Sequence, residues 1–236
     1  MTSIPILFLA LVVGLLLWAV KRSRAQAGLR LERAAFIRTY HFPAGLKYKL
    51  DQAYPQLSGD QINQVLEGLR AWFLLIAANP GSHLGMPSKA VDAAWHEFIV
   101  LTKNYADFCD KAFGKFLHHA PHAGDAKAEQ DGLAWTWGSR ASLGAGALAV
   151  GLGAGALLSS KDLFALDQQL GIAGGNLYSD NDFEQLEKRH SQLAASSSSG
   201  SGDGGSSGGA TSNCGDGGSC GDGGGGGGGC GGGCGS

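Results

Sequence analysis

Apolar positions recur at helical spacing through the middle of the chain. The run that starts after Ser58 repeats every three or four residues and ends at Asn79-Pro80-Gly81. Its apolar members are Ile62, Val65, Leu66, Leu69, Trp72, Phe73 and Ile76. Ser58 and Gln61 have the spacing of a capping box, which predicts where this helix begins.

A second apolar stripe follows Ser88, which can cap a helix. It predicts one helix whose apolar positions are Val91, Trp95, Phe98, Leu101 or Thr102, Tyr105 and Phe108, with Asn104 as a weak point. We predict a further short helix from Lys111 to His118, stopped by Pro121, and an earlier one from Gln26 to Tyr40.

No run of alternating β-branched residues is long enough for a sheet, so the pattern predicts an all-α protein. The predicted helical domain covers residues 25–135 and is a small bundle. We expect its core to contain Val91, Trp95, Phe98 and Phe108 packed against Leu66, Leu69 and Phe73. Cys109 is expected to be a small buried apolar residue.

An uncharged apolar run, Ile4 to Val20, precedes this domain and is followed at once by Lys21, Arg22 and Arg24. Its length suits a hydrocarbon core of roughly 30 Å. We predict a transmembrane helix within an N-terminal anchor and basic flank, residues 1–24. A cleaved signal peptide and a buried core helix are the alternatives.

Positive charge predicts the orientation of this anchor. Residues 21–50 carry eight Lys and Arg against a single acid, Glu32, so the helical domain is expected to be cytoplasmic. The predicted location is therefore the bacterial inner membrane, with membrane lipid as a partner. Alternatively, the basic residues are solvated charges on a helix.

A second uncharged segment, residues 141–160, is rich in Ala and Gly, and its hydropathy does not decide whether it spans a bilayer. Residues 21–140 hold 15 Lys and Arg against 11 acids, a charge of +4, and residues 161–236 hold 3 against 9, a charge of −6. This asymmetry favours a second span, in which case Trp135 and Trp137 suit the membrane interface. A soluble hairpin or linker is the alternative.

The C-terminal part combines a short helical segment, residues 161–193, with a tail of Ser, Gly, Asp and Cys, residues 194–236. That composition predicts a disordered tail. Its thiols, Cys214, Cys220, Cys230 and Cys234, are candidates for disulfides if the tail is exported, and otherwise for free thiols or soft-metal capture. The formal net charge of −2 argues against nucleic acid as a partner.

The residues that could bind a metal or take part in catalysis lie in the helical domain. Asp92 and His96 are four residues apart and share a helix face, and His118, His119 and His122 follow where the next helix is predicted to end. Imidazoles with a carboxylate could hold zinc or iron and leave a coordination position open. Histidines that only form hydrogen bonds are the alternative, since Pro121 separates His118 from His122 and no His-Glu-x-x-His occurs.

The segment from Met86 to Pro121 resembles the glycine-rich domain-containing proteins, especially bacterial relatives with a Gly/Cys-rich end. The matching pattern reads Val-Asp-x-x-Trp-His, Tyr-x-x-Phe-Cys and Phe-Gly-x-Phe-x-His-His. Its residues are Asp92, Trp95, His96, Tyr105, Cys109, Gly114, His118 and His119. The chain departs from the pattern at Cys230-Gly-Gly-Gly-Cys234, and the resemblance implies no settled activity.

The predicted function is that of a membrane-anchored interaction or assembly protein without an assigned biochemical activity. Its partner could be another membrane protein or a second copy, through the Gly-rich segment and the Cys tail. The alternative is a metal-dependent enzyme or metal-handling protein that uses His96, His118 and His119. No nucleophile with a positioned base is visible, so the sequence leans against an enzyme without deciding the question.

Overall fold

The computed structural model describes residues 3–119, 125–139 and 160–198, with side chains from Leu11 onward except at 160, 161 and 198. All of these residues belong to the first of two units into which the chain divides, Met1–Gly200. Residues 141–159 of the second apolar segment, His122 and the tail cysteines lie outside the described residues. What the sequence predicts for them therefore stays a prediction.

The described residues form helices and connecting segments without any strand, which confirms the predicted all-α class. The helices are α1 (Ser3–Thr39), α2 (Ala44–Ala53), α3 (Gly59–Ala78), α4 (Lys89–Val100), α5 (Thr102–Phe113), α6 (Ala126–Gly138), α7 (Ser160–Leu170) and α8 (Asp180–Ser198).

Helix α1 joins the apolar run and the basic segment after it into one helix of 37 residues. Its described side chains begin at Leu11. Within the residues whose side chains are described, no helix is long and apolar enough to cross a membrane. This finding contradicts the predicted membrane localisation.

The core is built around α3, which is buried along most of its length. The predicted core is confirmed, because its members from α3, α4 and α5 all lie in one buried cluster. The capping box at the start of α3 is also confirmed, since Ser58 Oγ accepts from the Gln61 amide and Gln61 Oε1 accepts from the Ser58 amide. Phe73 packs edge-on against Trp95, with ring centroids 5.9 Å apart.

Two predicted helices in this region are wrong. The long helix after Ser88 is broken at Leu101, whose ψ of 60° leaves the helical region and separates α4 from α5. The helix predicted from Lys111 to His118 ends instead at Phe113, because Gly114 adopts a left-handed conformation with φ 70°. Its amide closes α5 by donating to the Cys109 and Asp110 carbonyls. The chain therefore turns after α5 and continues to His119 without a helix.

The helices after residue 125 complete the packing. Leu163, Leu166 and Leu170 of α7 belong to the same buried cluster as α3. Gly68 permits this contact, since a Cβ there would lie 2.8 Å from Val91 Cγ2 and 3.0 Å from Leu166 Cδ2.

Helix α6 adds a second aromatic group beside this core. Trp137, an interfacial residue in the two-span prediction, is buried. Its ring stacks on Phe183 at 4.5 Å between centroids, and its indole nitrogen donates to Glu187 Oε2 at 2.8 Å. Trp135 contacts the ring of His190. Trp137 also packs edge-on against Phe164 of α7, so the described contacts of the two indoles are with protein groups of α7 and α8.

Candidate metal centre

The candidate site starts at the N-terminus of α4, which is fixed by a side chain distant in sequence. Ser88 caps the helix through its Oγ, which accepts from the Val91 amide, and the predicted start of this helix is thereby confirmed. The carboxylate of Asp167, on α7, is buried and accepts from Ser88 Oγ at 2.6 Å, from the Lys89 amide at 2.8 Å and from the Ala90 amide at 3.2 Å. A carboxylate at this position pairs helix donors that have no partner within the helix.

Two of the predicted site residues follow on the next turn of α4. Asp92 and His96 are four residues apart and face the same side, with His96 Nδ1 3.4 Å from Asp92 Oδ2. The same ring nitrogen lies 2.8 Å from the Asp92 carbonyl oxygen. A contact this short with a carbonyl requires a hydrogen on Nδ1, so Nε2 is the ring nitrogen of His96 that can bind a metal.

The third residue, His119, comes from the segment that follows the Gly114 turn. This segment is held by Tyr105 of α5, whose hydroxyl donates to the Leu117 carbonyl at 2.6 Å and accepts from Trp95 Nε1 at 3.0 Å. Burial raises the pKa of Tyr105, so its hydroxyl keeps the proton it donates.

His119 is thereby enclosed between the aromatic residues of α4. Its ring centroid lies 4.3 Å from that of Trp95 and 4.4 Å from that of His96. Its Nε2 lies 3.4 Å from Asp92 Oδ1. The side chain is only 13% exposed, against 50% for His96, so the imidazole is held by its surroundings rather than by solvent contacts.

Asp92, His96 and His119 form one cluster whose ligand atoms all lie within 4.8 Å of one another. Zinc bonds to nitrogen and oxygen of about 2.0–2.2 Å place the donors of a tetrahedral site roughly 3.3–3.6 Å apart. The contact between Asp92 Oδ1 and His119 Nε2, at 3.4 Å, matches that spacing. Two imidazoles with one carboxylate also form the donor set that holds Fe²⁺ on one face of its coordination shell.

Asp92 and His119 of this cluster line a cleft of about 680 Å³. Asp125 and Glu129 line this cleft with Asp92, whereas the one lining Lys or Arg among the described residues is Lys89. The ammonium of Lys89 donates to the Gly174 carbonyl at 2.6 Å. Acidic groups therefore outnumber basic ones around the cluster, which favours a cation.

One wall of the cleft contains a buried donor. The indole N–H of Trp72 is inaccessible to water and has no hydrogen-bond partner among the described residues, although Trp72 lines the cleft. Such a donor is costly unless an acceptor reaches it, at about 1–3 kcal/mol. A bound molecule with an acceptor could provide that partner.

The structure thus brings together three of the five residues that the sequence predicts for a metal. His118 also lines the cleft, but it lies outside the cluster, and its ring packs on Phe116 at 4.9 Å between centroids. His122 is outside the described residues. Sequence reasoning missed Asp167 and the donor of Trp72. No local signal could have indicated Asp167, because it lies 79 positions from Ser88.

Comparison with known proteins gives one match. No curated protein and no solved structure matches the chain. The resemblance to glycine-rich domain-containing proteins stays a prediction, since the matching family is described without reference to that group. Residues 32–199, which include α2 to α8 and every residue of the cluster, match the model of the UCP032817-like family, to which the chain therefore belongs.

Proposed function

We propose that the protein binds a divalent transition metal, zinc or Fe²⁺, through Asp92, His96 and His119, and that the metal acts on a molecule bound in the adjoining cleft. The observation that carries the proposal is the convergence of Asp92, His96 and His119, whose ligand atoms all lie within 4.8 Å of one another. Of the two functions that the sequence suggests, this is the metal-dependent one, with Asp92, His96 and His119 as ligands and without His118.

The number of ligands favours a reactive site over a structural one. Structural zinc sites are closed by four protein ligands, whereas catalytic sites use three and keep a position for water or substrate. Only three ligands converge among the described residues, and the cleft adjoins them. A metal held there would supply Lewis acidity or an activated water, while Asp92 and the two imidazoles fix its position.

Metal analysis of the purified full chain tests the proposal directly. We expect about one zinc or iron per chain by inductively coupled plasma mass spectrometry after loading with either ion. His119→Gln, Asp92→Asn and His96→Gln should each lose the metal. His118→Gln is the matched control, since it removes a neighbouring imidazole that lies outside the cluster, and it should retain the metal.

The tail cysteines need a separate control because thiolates also bind zinc. A variant with Ser at Cys214, Cys220, Cys230 and Cys234 should keep the metal. The proposal is wrong if the loaded wild-type chain carries no metal, or if the cysteine variant loses it while the three cluster variants retain it.

A separate observation favours the interaction or assembly function as a second candidate. Helix α1 exposes large apolar side chains, including Leu16 at 61% and Leu17 at 66%. Exposed apolar patches of this kind are typical of contact surfaces. We infer that a second copy of the chain covers this part of α1.

Sedimentation of the full chain tests this second candidate. Leu16→Glu with Leu17→Glu should convert a dimer to a monomer, because charge would be buried at the contact. Leu177→Glu is the control, since Leu177 is also exposed but lies far along the chain from α1. A wild-type chain that sediments as a monomer would refute self-association.

A further inference from the structure

A groove separate from the metal centre runs between α1 and the C-terminal end of α3. Its volume is about 450 Å³. The wall is mainly apolar and built from small side chains and leucines, with Ser23, Gln26 and two arginines at its polar part. The apolar residues are Ala27, Leu31, Ala34, Leu74, Ala77 and Ala78.

Arg38 brings an uncompensated positive charge to this groove. Its Nε and Nη1 atoms are inaccessible to water and have no hydrogen-bond partner among the described residues. Burial lowers its pKa, and no carboxylate contributes to the shift. Guanidinium donors that are withdrawn from water without an acceptor are costly, so an anion that paired with these two would be favoured.

The usual role of a cation in the last turn of a helix does not account for Arg38. Such a residue normally interacts with the free carbonyl groups at the helix end. At the end of α1, the Ile37, Arg38 and Tyr40 carbonyls already accept from Arg70 Nη1, at 2.7, 2.9 and 2.8 Å. Arg70 is in turn paired with Glu67. The end of α1 is thus closed by another arginine, while the Arg38 guanidinium lines the groove.

We propose that this groove binds a free fatty acid, with the carboxylate on Arg38 and the aliphatic chain along the apolar wall. The single charge of the half-buried Arg38 guanidinium matches the single charge of a carboxylate, and its N–H groups can recognise the carboxylate oxygens. Arg30, the other groove arginine, adds positive charge nearby. The proposal does not depend on the metal centre, because none of its residues belongs to that cluster or its cleft.

Calorimetric titration of the full chain with laurate, below its micelle concentration, tests the proposal. Arg38→Gln removes the charge and should weaken laurate binding by about tenfold or more, as expected for the loss of a charge-assisted hydrogen bond. Arg24→Gln is the matched control: it makes the same change on the same exposed helix, outside the groove, and should change binding by less than about twofold. Circular dichroism establishes that both variants keep their helices.

Two further measurements keep the outcome decisive. Ala77→Leu fills the groove without touching the charge and should also weaken laurate binding, so the proposal remains testable if Arg38→Gln fails to fold. Dodecanol has the same chain without the charge and should bind about tenfold more weakly than laurate.

Three results would overturn the proposal. Laurate binding unchanged by Arg38→Gln shows that this charge is not used. Equal binding of dodecanol and laurate shows an apolar surface without a carboxylate site. Binding to phosphatidylglycerol vesicles but not to laurate, lowered equally by Arg38→Gln and Arg24→Gln, shows attraction to a charged surface only.

Discussion

Replacing Asp167 by Asn should destabilise the protein strongly, although the two side chains have nearly the same shape. The carboxylate is 1% exposed and uses both oxygens: Oδ1 accepts from Ser88 Oγ and the Ala90 amide, and Oδ2 accepts from the Lys89 and Asn176 amides. Asn has one acceptor oxygen, so its amide nitrogen would face two donors. Each buried donor without an acceptor costs about 1–3 kcal/mol, so the free energy of unfolding should fall by about 2–6 kcal/mol.

Urea denaturation followed by circular dichroism measures this loss. Asp51→Asn makes the same chemical change at an exposed acid of α2 and should alter the free energy of unfolding by less than about 0.5 kcal/mol. A double-mutant cycle with Ser88→Ala should show coupling to Asp167, since the two side chains share a hydrogen bond of 2.6 Å. If Asp167→Asn costs less than about 1 kcal/mol, the carboxylate is not what holds the start of α4.

Three further predictions concern the core, the buried thiol and the metal. Trp95→Ala removes a buried indole and should cost about 3–5 kcal/mol in a denaturation experiment, whereas unchanged melting would show that Trp95 is not a core residue. Burial raises the pKa of Cys109 above its ordinary 9.0, so the stability that the neutral thiol contributes is complete below pH 9.0 and is lost as the pH rises through the raised value. In a chain with Ser at the four tail cysteines, the free energy of unfolding should therefore fall as the pH rises above 9.0, and adding Cys109→Ala should make that fall smaller. Equal falls in the two chains would show that Cys109 is not the group responsible. Zinc at about 100 times its Kd should stabilise the wild type and His118→Gln by about 2.7 kcal/mol but leave His119→Gln unchanged, and an equal shift in all three would place the ion elsewhere.

The helices that could be predicted from the sequence are those with both a local start signal and a regular apolar stripe. Helix α3 has the Ser58 capping box and an unbroken stripe, and the structure confirms both. The region after Ser88 has the same signals, yet the stripe continues in register across Leu101 although the backbone does not. Periodicity reports which side chains face the core, and two short helices that pack on the same core can preserve it.

The end of α5 shows a second limit of the apolar pattern, which continues beyond the point where the helix ends. The residues after Gly114 continue an apolar pattern through Phe116 and Leu117, which predicts helix, but Gly114 is left-handed and ends it. A glycine inside an apolar pattern is tolerated in many helices, so the sequence alone does not distinguish a cap from an interior position. Here the distinction decides the site, because the turn directs His119 rather than His118 toward Asp92.

The membrane prediction depended on composition over a short run and on the charges beside it. Hydropathy identifies a run that is apolar enough for lipid, but it does not report where the helix that contains the run continues. In the structure, α1 continues through the basic segment to Thr39, and its C-terminal end carries Ile37 into the protein core. The same helix therefore contributes a core residue and the wall of the Arg38 groove, which hydropathy does not report.

The metal ligands become a site only because two contacts between distant parts of the chain hold them. Helix α4 carries Asp92 and His96, and its first turn is held by Asp167 from α7. His119 depends on Tyr105, which ties the Leu117 carbonyl to the core. A chain that ended at residue 135 would keep all three ligands and the Tyr105 contact but would lack the acceptor for the Ser88, Lys89 and Ala90 donors. The position of α4, and with it the distance between the ligand pair and His119, therefore depends on helices that contribute no ligand themselves.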